Sequence, residues 1–380
     1  MNLREQAEKH LDYVVAMRRF FHANPELGYQ EFAATDRIAE ELTAMGIPFT
    51  RLVPTGLVGE ITGAHPGKTL LLRTEIDALP IQEEADVPFR SRRDGVMHAC
   101  GHDANAAILL GAARVLMGLR EQLCGSVRLL FEPAEELGDG SRLAIDQHVL
   151  DGVDGVLGLH IVSQMPSGAL CIDSGAILPR STYYTIQLTG KSTHGALPQD
   201  GANAALAAAA IAVHMQSIVP LEHSVYNQVL VSLGTLHAGS ASNVCPESAR
   251  LEGTIRAYTP EDTEKVVASL RRIAESSAAV YRCTAQVTSE DLCEALVNDE
   301  ALCRLARRSA LAVTDQVLPF IRTMASDNFS EYCLRRPSMY LCLGVGGEYP
   351  QHSSRYVIDE RALATGVAFE VDFALRYLSN

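Results

Sequence analysis

The segment Met97-His98-Ala99-Cys100-Gly101-His102-Asp103 places a thiol and an imidazole two residues apart. On an extended segment such a pair shares one face, so Cys100 and His102 could reach the same ion, and both are zinc-type ligands. The glycine between them permits close backbone approach. Alone, the pair also reads as a buried cysteine beside a hydrogen-bonded histidine. Phe131-Glu132-Pro133-Ala134-Glu135-Glu136 sets two carboxylates side by side. They repel each other and would ordinarily face solvent, but a cation holding one would leave the other to carry a proton. Gly158-Leu159-His160 closes an apolar run with an imidazole, and Gln351-His352-Ser353-Ser354 supplies another. A Cys/His/Glu/His/His set exceeds the four positions of one tetrahedral zinc, which implies two metals sharing a bridge.

The elements that must carry these groups follow from hydrophobic spacing. Apolar positions recur with helical period over residues 4–21 and 32–45, and 106–119 is an alanine-rich helix. Short apolar runs at 69–73, 127–131 and 153–160 read as buried strands, and alternation of the two patterns predicts an α/β layer with a mostly parallel sheet. The candidate groups then fall at strand ends, where such sheets place their sites. From about Tyr183 the order becomes strand 183–188, helix 202–218, strands 228–235 and 250–258, helix 260–281 and strand 284–288. That is the split β-α-β-β-α-β arrangement of ferredoxin-like units. After about Asp299 the helix-rich pattern returns, and 338–344 adds a strand. The expected architecture is a discontinuous α/β domain over 1–180 and 294–380, interrupted at 181–293 by a smaller α+β domain. Gly63 to Thr69 resembles a phosphate loop with one residue too few and is expected to be a hairpin turn.

Composition narrows the function classes. The 380 residues carry a formal net charge of −14, which disfavours nucleic acid and anionic membrane as partners. The first residues lack a signal-peptide pattern, and the longest apolar run, Ala204 to Val213, is about half a bilayer span. Nine cysteines, an odd number without regular spacing, fit a reduced, cytoplasmic protein in which most act as small packing residues.

Arg73-Thr74-Glu75-Ile76-Asp77-Ala78-Leu79-Pro80, the 97–103 heptad, Pro133-Ala134-Glu135-Glu136, Gly158-Leu159-His160 and His352 occur in one order along the chain. His22-Ala23-Asn24-Pro25-Glu26-Leu27-Gly28 and Gly253-Thr254-Ile255-Arg256 join them. In that order they resemble the dinuclear metallo-amidohydrolases of the aminoacylase/carboxypeptidase family. The likeness is greatest to the branch of hippurate hydrolases, N-acetyl-diaminopimelate deacetylases and indoleacetate–amino acid hydrolases. The resemblance implies two divalent ions (zinc, manganese, cobalt or nickel) held by Cys100 as bridge with His102, Glu136, His160 and His352. It implies Glu135 as general base, a metal-bridging hydroxide as attacking group, and Asp77 as the residue orienting a metal ligand. It further implies His194 at the oxyanion, and Asn243 and Arg256 near a small N-acyl amino acid or amide substrate. The inserted domain would serve as lid and homodimer contact, with His194 reaching a partner's site.

Several positions depart from that branch: Glu75 replaces the usual aspartate, and Ala104-Asn105-Ala106 a usual Gly-His-Thr. Gln199 follows Pro198 in place of histidine, and Asp327-Asn328 stands for Glu-Asp. As neighbours of the ligands these are expected to line the pocket and alter the substrate. Besides hydrolysis of an amide, two further functions stay open: a ligand-binding relative without turnover, and a cysteine hydrolase with Cys100 as nucleophile and His102 or His160 as base.

Overall fold

Leu70, Leu71 and Leu72 are fully buried in succession, as a strand covered on both faces requires. They belong to the central strand of an eight-stranded sheet in a computed structural model that describes residues 2–379. The chain divides into two compact units, one of residues 1–175, 297–321 and 328–380, the other of 176–296 and 322–327. The short return of 322–327 to the second unit carries no hydrophobic pattern that announces it.

In the first unit, strands β1 (Phe49–Arg51), β2 (Leu57–Thr62), β3 (His65–Glu75), β4 (Cys124–Glu132), β5 (Gly155–Val162) and β6 (Leu170–Cys171) are joined by Val317–Leu318 and Ser338–Gly344. The sheet order is β1-β2-β4-β3-β5, then Ser338–Gly344, β6 and Val317–Leu318. The central four, β4, β3, β5 and Ser338–Gly344, run parallel, while β2 is antiparallel to β4. Four strands therefore end at one edge of the sheet, and every candidate metal ligand lies at or just beyond that edge.

Helices α1 (Leu3–Lys9), α2 (Leu11–Ala23), α3 (Phe32–Met45) and α4 (His102–Gly118) belong to this unit, with Leu363–Leu378 near the end of the chain. The stretch read as one helix over 4–21 is two, because His10 leaves the helical region at φ −101°, ψ 0°. Helix α4 packs against α2 and Leu363–Leu378. Its alanines let those helices approach closely: a Cβ at Gly111 would already lie 2.6 Å from Val14 Cγ2. The expected hairpin at Gly63 to Thr69 is not formed. Strand β4 lies between β2 and β3, and residues from His65 onward already pair with it.

The second unit holds a four-stranded antiparallel sheet in the order Val229–Ala238, Ser248–Ala257, Arg180–Thr189, Thr284–Cys293. Helices Ala204–His214 and Pro260–Val280 pack on it through Ala207, Ala208, Ile211, Val266, Leu270 and Ala274. Thr259 caps the longer helix by accepting the Asp262 N–H, with Pro260 in the first turn, where its missing N–H costs nothing. The continuous helical run Ala204–Glu222 is long and apolar enough to cross a bilayer by composition. Ala204, Ala207, Ile211, Met215 and Ile218 bury one side of it in this unit's core.

Candidate metal centre

Three overlapping groups each hold donor atoms within 4.8 Å of one another: Cys100, His102 and His160; Cys100, Glu136 and His352; His102, Glu135 and Glu136. All five residues expected as ligands are therefore gathered, with Glu135 beside them, and Cys100 is shared by two groups. The sheet edge explains the convergence. Asp77 follows β3, the Glu135–Leu137 turn follows β4, His160 lies in β5, and His352 comes after Ser338–Gly344.

Cys100 and His102 share a site for a different reason than expected. The segment is not extended, since His102 begins α4 and Gly101 stands in the left-handed region at φ +102°. A Cβ there would lie 2.5 Å from Ile161 Cδ1, so glycine alone allows the turn that brings thiol and imidazole together.

Hydrogen bonds fix which ring nitrogens face the centre. His102 Nδ1 lies 3.0 Å from the Asp77 carbonyl oxygen and 3.1 Å from Asp77 Oδ1. A carbonyl only accepts, so Nδ1 carries the proton and Nε2 presents its lone pair. That Nε2 is buried, without a hydrogen-bond partner among the described residues, and 3.9 Å from Glu135 Oε2. His160 repeats the pattern: Nδ1 donates to the Ile161 carbonyl at 2.7 Å, and Nε2 faces Cys100 Sγ at 3.7 Å. Two lone pairs, a thiol and two carboxylates converging at the sheet edge suit a cation. The residues fit a metal pair.

The charges agree. Burial pushes the Cys100 thiol up to about 12, with Glu136 and Glu135 adding to the effect against His102. A nearby cation favours the release of that proton. Burial opposes ionisation of Glu136 too, yet the hydrogen bond from His352, at 3.4 Å from Oε1, holds its carboxyl down at about 2. Gln351 donates to the Cys100 carbonyl at 3.1 Å and approaches Sγ at 3.6 Å. Its adjacency to His352 was the only sign of this in the sequence.

Asp77 does more than orient one ligand, for its second oxygen accepts the Glu136 N–H at 3.0 Å. His194, Asn243 and Arg256 belong to the second unit, and none of them is among the donor groups above. His194 pairs with Val244 across a short two-strand ladder, and Gly195 N donates to the Asn243 carbonyl at 2.7 Å. Arg256 donates to Ser326 Oγ.

Three of the departures, Glu75, Asn105 and Asn328, turn into a buried network. Arg73, fully buried, forks onto Glu132 at 2.8 and 3.1 Å, pairs with Glu75 and donates to Asn328 Oδ1 at 2.6 Å. Asn105 donates to Glu75 Oε2 at 3.0 Å and accepts the Ile161 N–H at 3.0 Å, next to His160. Glu75, Asn105 and Asn328 thus form one buried network around one arginine, and Ala104 is buried beside them in α4. Gln199, in the second unit, is exposed.

Comparison with known proteins adds the following. The profile of peptidase family M20/M25/M40 matches residues 71–376. Thermostable carboxypeptidase 2 of Saccharolobus solfataricus is 35% identical over 381 residues, covering 96% of this chain and 95% of its own. N-acetyl-L-cysteine deacetylase of Bacillus subtilis is 33% identical over 368 residues, covering 97% and 88%. A solved structure from Bacillus subtilis, described as a dinuclear metal binding peptidase from the M20 family, superposes with a TM-score of 0.89. It is 30% identical and covers 98% of this chain and 99% of that one.

Proposed function

Because the chain belongs to peptidase family M20/M25/M40, we propose that it is a metal-dependent amidohydrolase. Its substrates are N-acyl amino acids or related small amide conjugates, cleaved to a carboxylate and an amine. The observation that carries this reading is the convergence of three donor groups on Cys100, His102 and Glu136, with the buried His102 Nε2 left for a cation. The carboxypeptidase and deacetylase relatives, whose names both denote cleavage of a C–N amide bond, support the reaction class.

Cys100, His102, Glu136, His160 and His352 would hold two divalent ions, with zinc, manganese, cobalt and nickel all compatible with the donors. Such ions lower the pKa of water and polarise a carbonyl. Glu135 stands at the cluster without being needed as a ligand, and takes the proton of the attacking water. It then returns that proton to the amine nitrogen as the amide C–N bond breaks. His194 is assigned to the oxyanion, Arg256 to a substrate carboxylate and Asn243 to a polar contact with substrate, all on the resemblance of their motifs.

A homodimer through the second unit completes the reading. Its support is the edge strand Val229–Ala238, paired on one side only among the described residues, with Leu230 and Leu236 exposed, and the exposed Val225 and Tyr226 just ahead of it. A reducing, cytoplasmic setting suits a thiol that must stay unoxidised to serve as a ligand. A cysteine-nucleophile route would leave Glu135, Glu136 and His352, gathered at the same cluster, without a role.

The test is a panel of N-acyl amino acids given to the metal-loaded protein and to Glu135→Gln. Wild type is expected to hydrolyse part of the panel, and the variant to lose about 100- to 10,000-fold in kcat with its metal content intact. A metal-loaded wild type that hydrolyses none of the panel would instead favour a ligand-binding protein.

A further inference from the structure

Glu31 immediately precedes α3, at its N-cap, yet its side chain makes no capping bond there, and the residue is 0% exposed. Both carboxylate oxygens are spent elsewhere. Oε1 accepts the Ala134 N–H at 2.8 Å, and Oε2 accepts the Thr55 hydroxyl at 2.5 Å. Ala134 is buried and left-handed, at φ 55° and ψ 40°, a conformation that an L side chain adopts only against a steric cost. The next residue is Glu135.

On the far side of Glu135, the Glu136 N–H is held by Asp77 Oδ2. Two buried carboxylates therefore grip the N–H groups of the residues on either side of Glu135. The turn is also enclosed by bare backbone. A Cβ at Gly28 would lie 3.1 Å from Ala134 Cβ, one at Gly56 2.8 Å from the Phe131 carbonyl oxygen, and one at Gly140 1.8 Å from that of Pro133. Gly28 closes the His22–Gly28 motif, whose place in the site is otherwise unexplained.

We propose that Glu31 is the positioning residue for Glu135: it locks Ala134 in the left-handed turn that aims the Glu135 carboxylate at the donor cluster. It touches neither substrate nor ligand atoms and acts through one backbone amide. Loss of that acceptor leaves the Ala134 N–H unpaired in a buried place, and the strained residue then relaxes toward ordinary backbone angles. Glu135 swings with it, while Asp77 still holds Glu136 and the ions' ligands stay put. The inference rests on Glu135 as the proton carrier, but its structural claim is separable from that chemistry.

The experiment uses the full chain with both ions bound and the variants Glu31→Ala, Glu31→Gln and Thr55→Val. For Glu31→Ala, kcat should fall about 10- to 100-fold with KM within about threefold of wild type, the mark of misplaced chemistry rather than lost binding. Metal content should stay at the wild-type level. Deuterium uptake in the peptide spanning residues 131–140 should quicken by about tenfold or more, with the chain outside it and the Thr55 turn unchanged. Glu31→Gln retains an oxygen for the Ala134 N–H and should recover kcat to within about threefold. Thr55→Val loosens the other oxygen and should fall between the two, which keeps the claim testable should Glu31→Ala not fold.

The proposal is overturned if Glu31→Ala keeps wild-type kcat, loses metal, exchanges the 131–140 peptide at the wild-type rate, or loosens the whole chain equally. It is also overturned if glutamine does no better than alanine. A wild type without any hydrolysis would sink the amidohydrolase reading, and local exchange at 131–140 would still decide the role of Glu31.

Discussion

Asp77→Asn is the sharpest single perturbation of the metal centre, because Asp77 spends each oxygen on a different part of it. Oδ1 lies 3.1 Å from His102 Nδ1 and Oδ2 accepts the Glu136 N–H at 3.0 Å. An asparagine has one acceptor oxygen. Turned toward Glu136, it sets its NH2 group against His102 Nδ1, and the backbone carbonyl there is left alone to accept that nitrogen's proton. Turned toward His102, it opposes the Glu136 N–H, donor to donor. Either arrangement forfeits a hydrogen bond to a charged group, about 1.5–3 kcal/mol. At about 1.36 kcal/mol per decade, that is about 10- to 100-fold in cation affinity, the range measured for partners of metal ligands elsewhere. The assay is competition between chelator-stripped protein and a chromophoric chelator near neutral pH, with a thermal melt to show that the variant is folded. A folded Asn variant that binds within about threefold of wild type would refute the role given to Asp77.

Two further outcomes concern the scaffold. Arg73→Met removes the cation between Glu75 and Glu132 and is expected to cost about 3–5 kcal/mol, read as a lower denaturation midpoint; an unchanged midpoint would show the network to be dispensable. Glu370 is buried in Leu363–Leu378, its Oε2 has no hydrogen-bond partner among the described residues, and burial pushes its carboxyl from an ordinary 4.5 up to about 8. A carboxyl raised on folding costs nothing below about pH 4.5 and its full penalty, on the order of 4–5 kcal/mol, above about pH 8. Glu370→Gln should therefore match wild type in denaturant stability near pH 4.5 and gain on it progressively up to about pH 8, whereas a gap that does not change with pH would contradict the assignment.

Much of the centre was legible because its ligands are chemically distinctive and close in sequence to strand ends. Glu136, His160 and His352 follow or end apolar runs, and a parallel sheet has only one edge at which such runs finish, while Cys100 and His102 stand out by their own spacing. The ferredoxin-like order of the second unit was legible for a similar reason, since its helices and strands have clean periods. Partners that act through backbone were not legible. Glu31 reaches Ala134 across 103 residues, and Asn328 reaches Arg73 across 255, with no spacing rule to join them. The substitutions at Glu75, Asn105 and Asn328 looked like independent changes near the substrate. Only the fold brings them to Arg73, where a longer acid and a neutral amide share one guanidinium. Turn chemistry misled where the pairing was non-local: Gly63 to Thr69 has hairpin composition, but the strand inserted between β2 and β3 comes from more than fifty residues later.

The most direct test of the dinuclear site is a metal titration of chelator-stripped protein, following acyl-amino-acid hydrolysis and bound metal together. Activity should be absent at the start, rise as cation is added, and level off at two equivalents per chain. Cys100→Ala and His352→Ala should each fall short of that stoichiometry. Hydrolysis that survives complete stripping, or saturation with no bound metal, would contradict the site assembled from Cys100, His102, Glu136, His160 and His352.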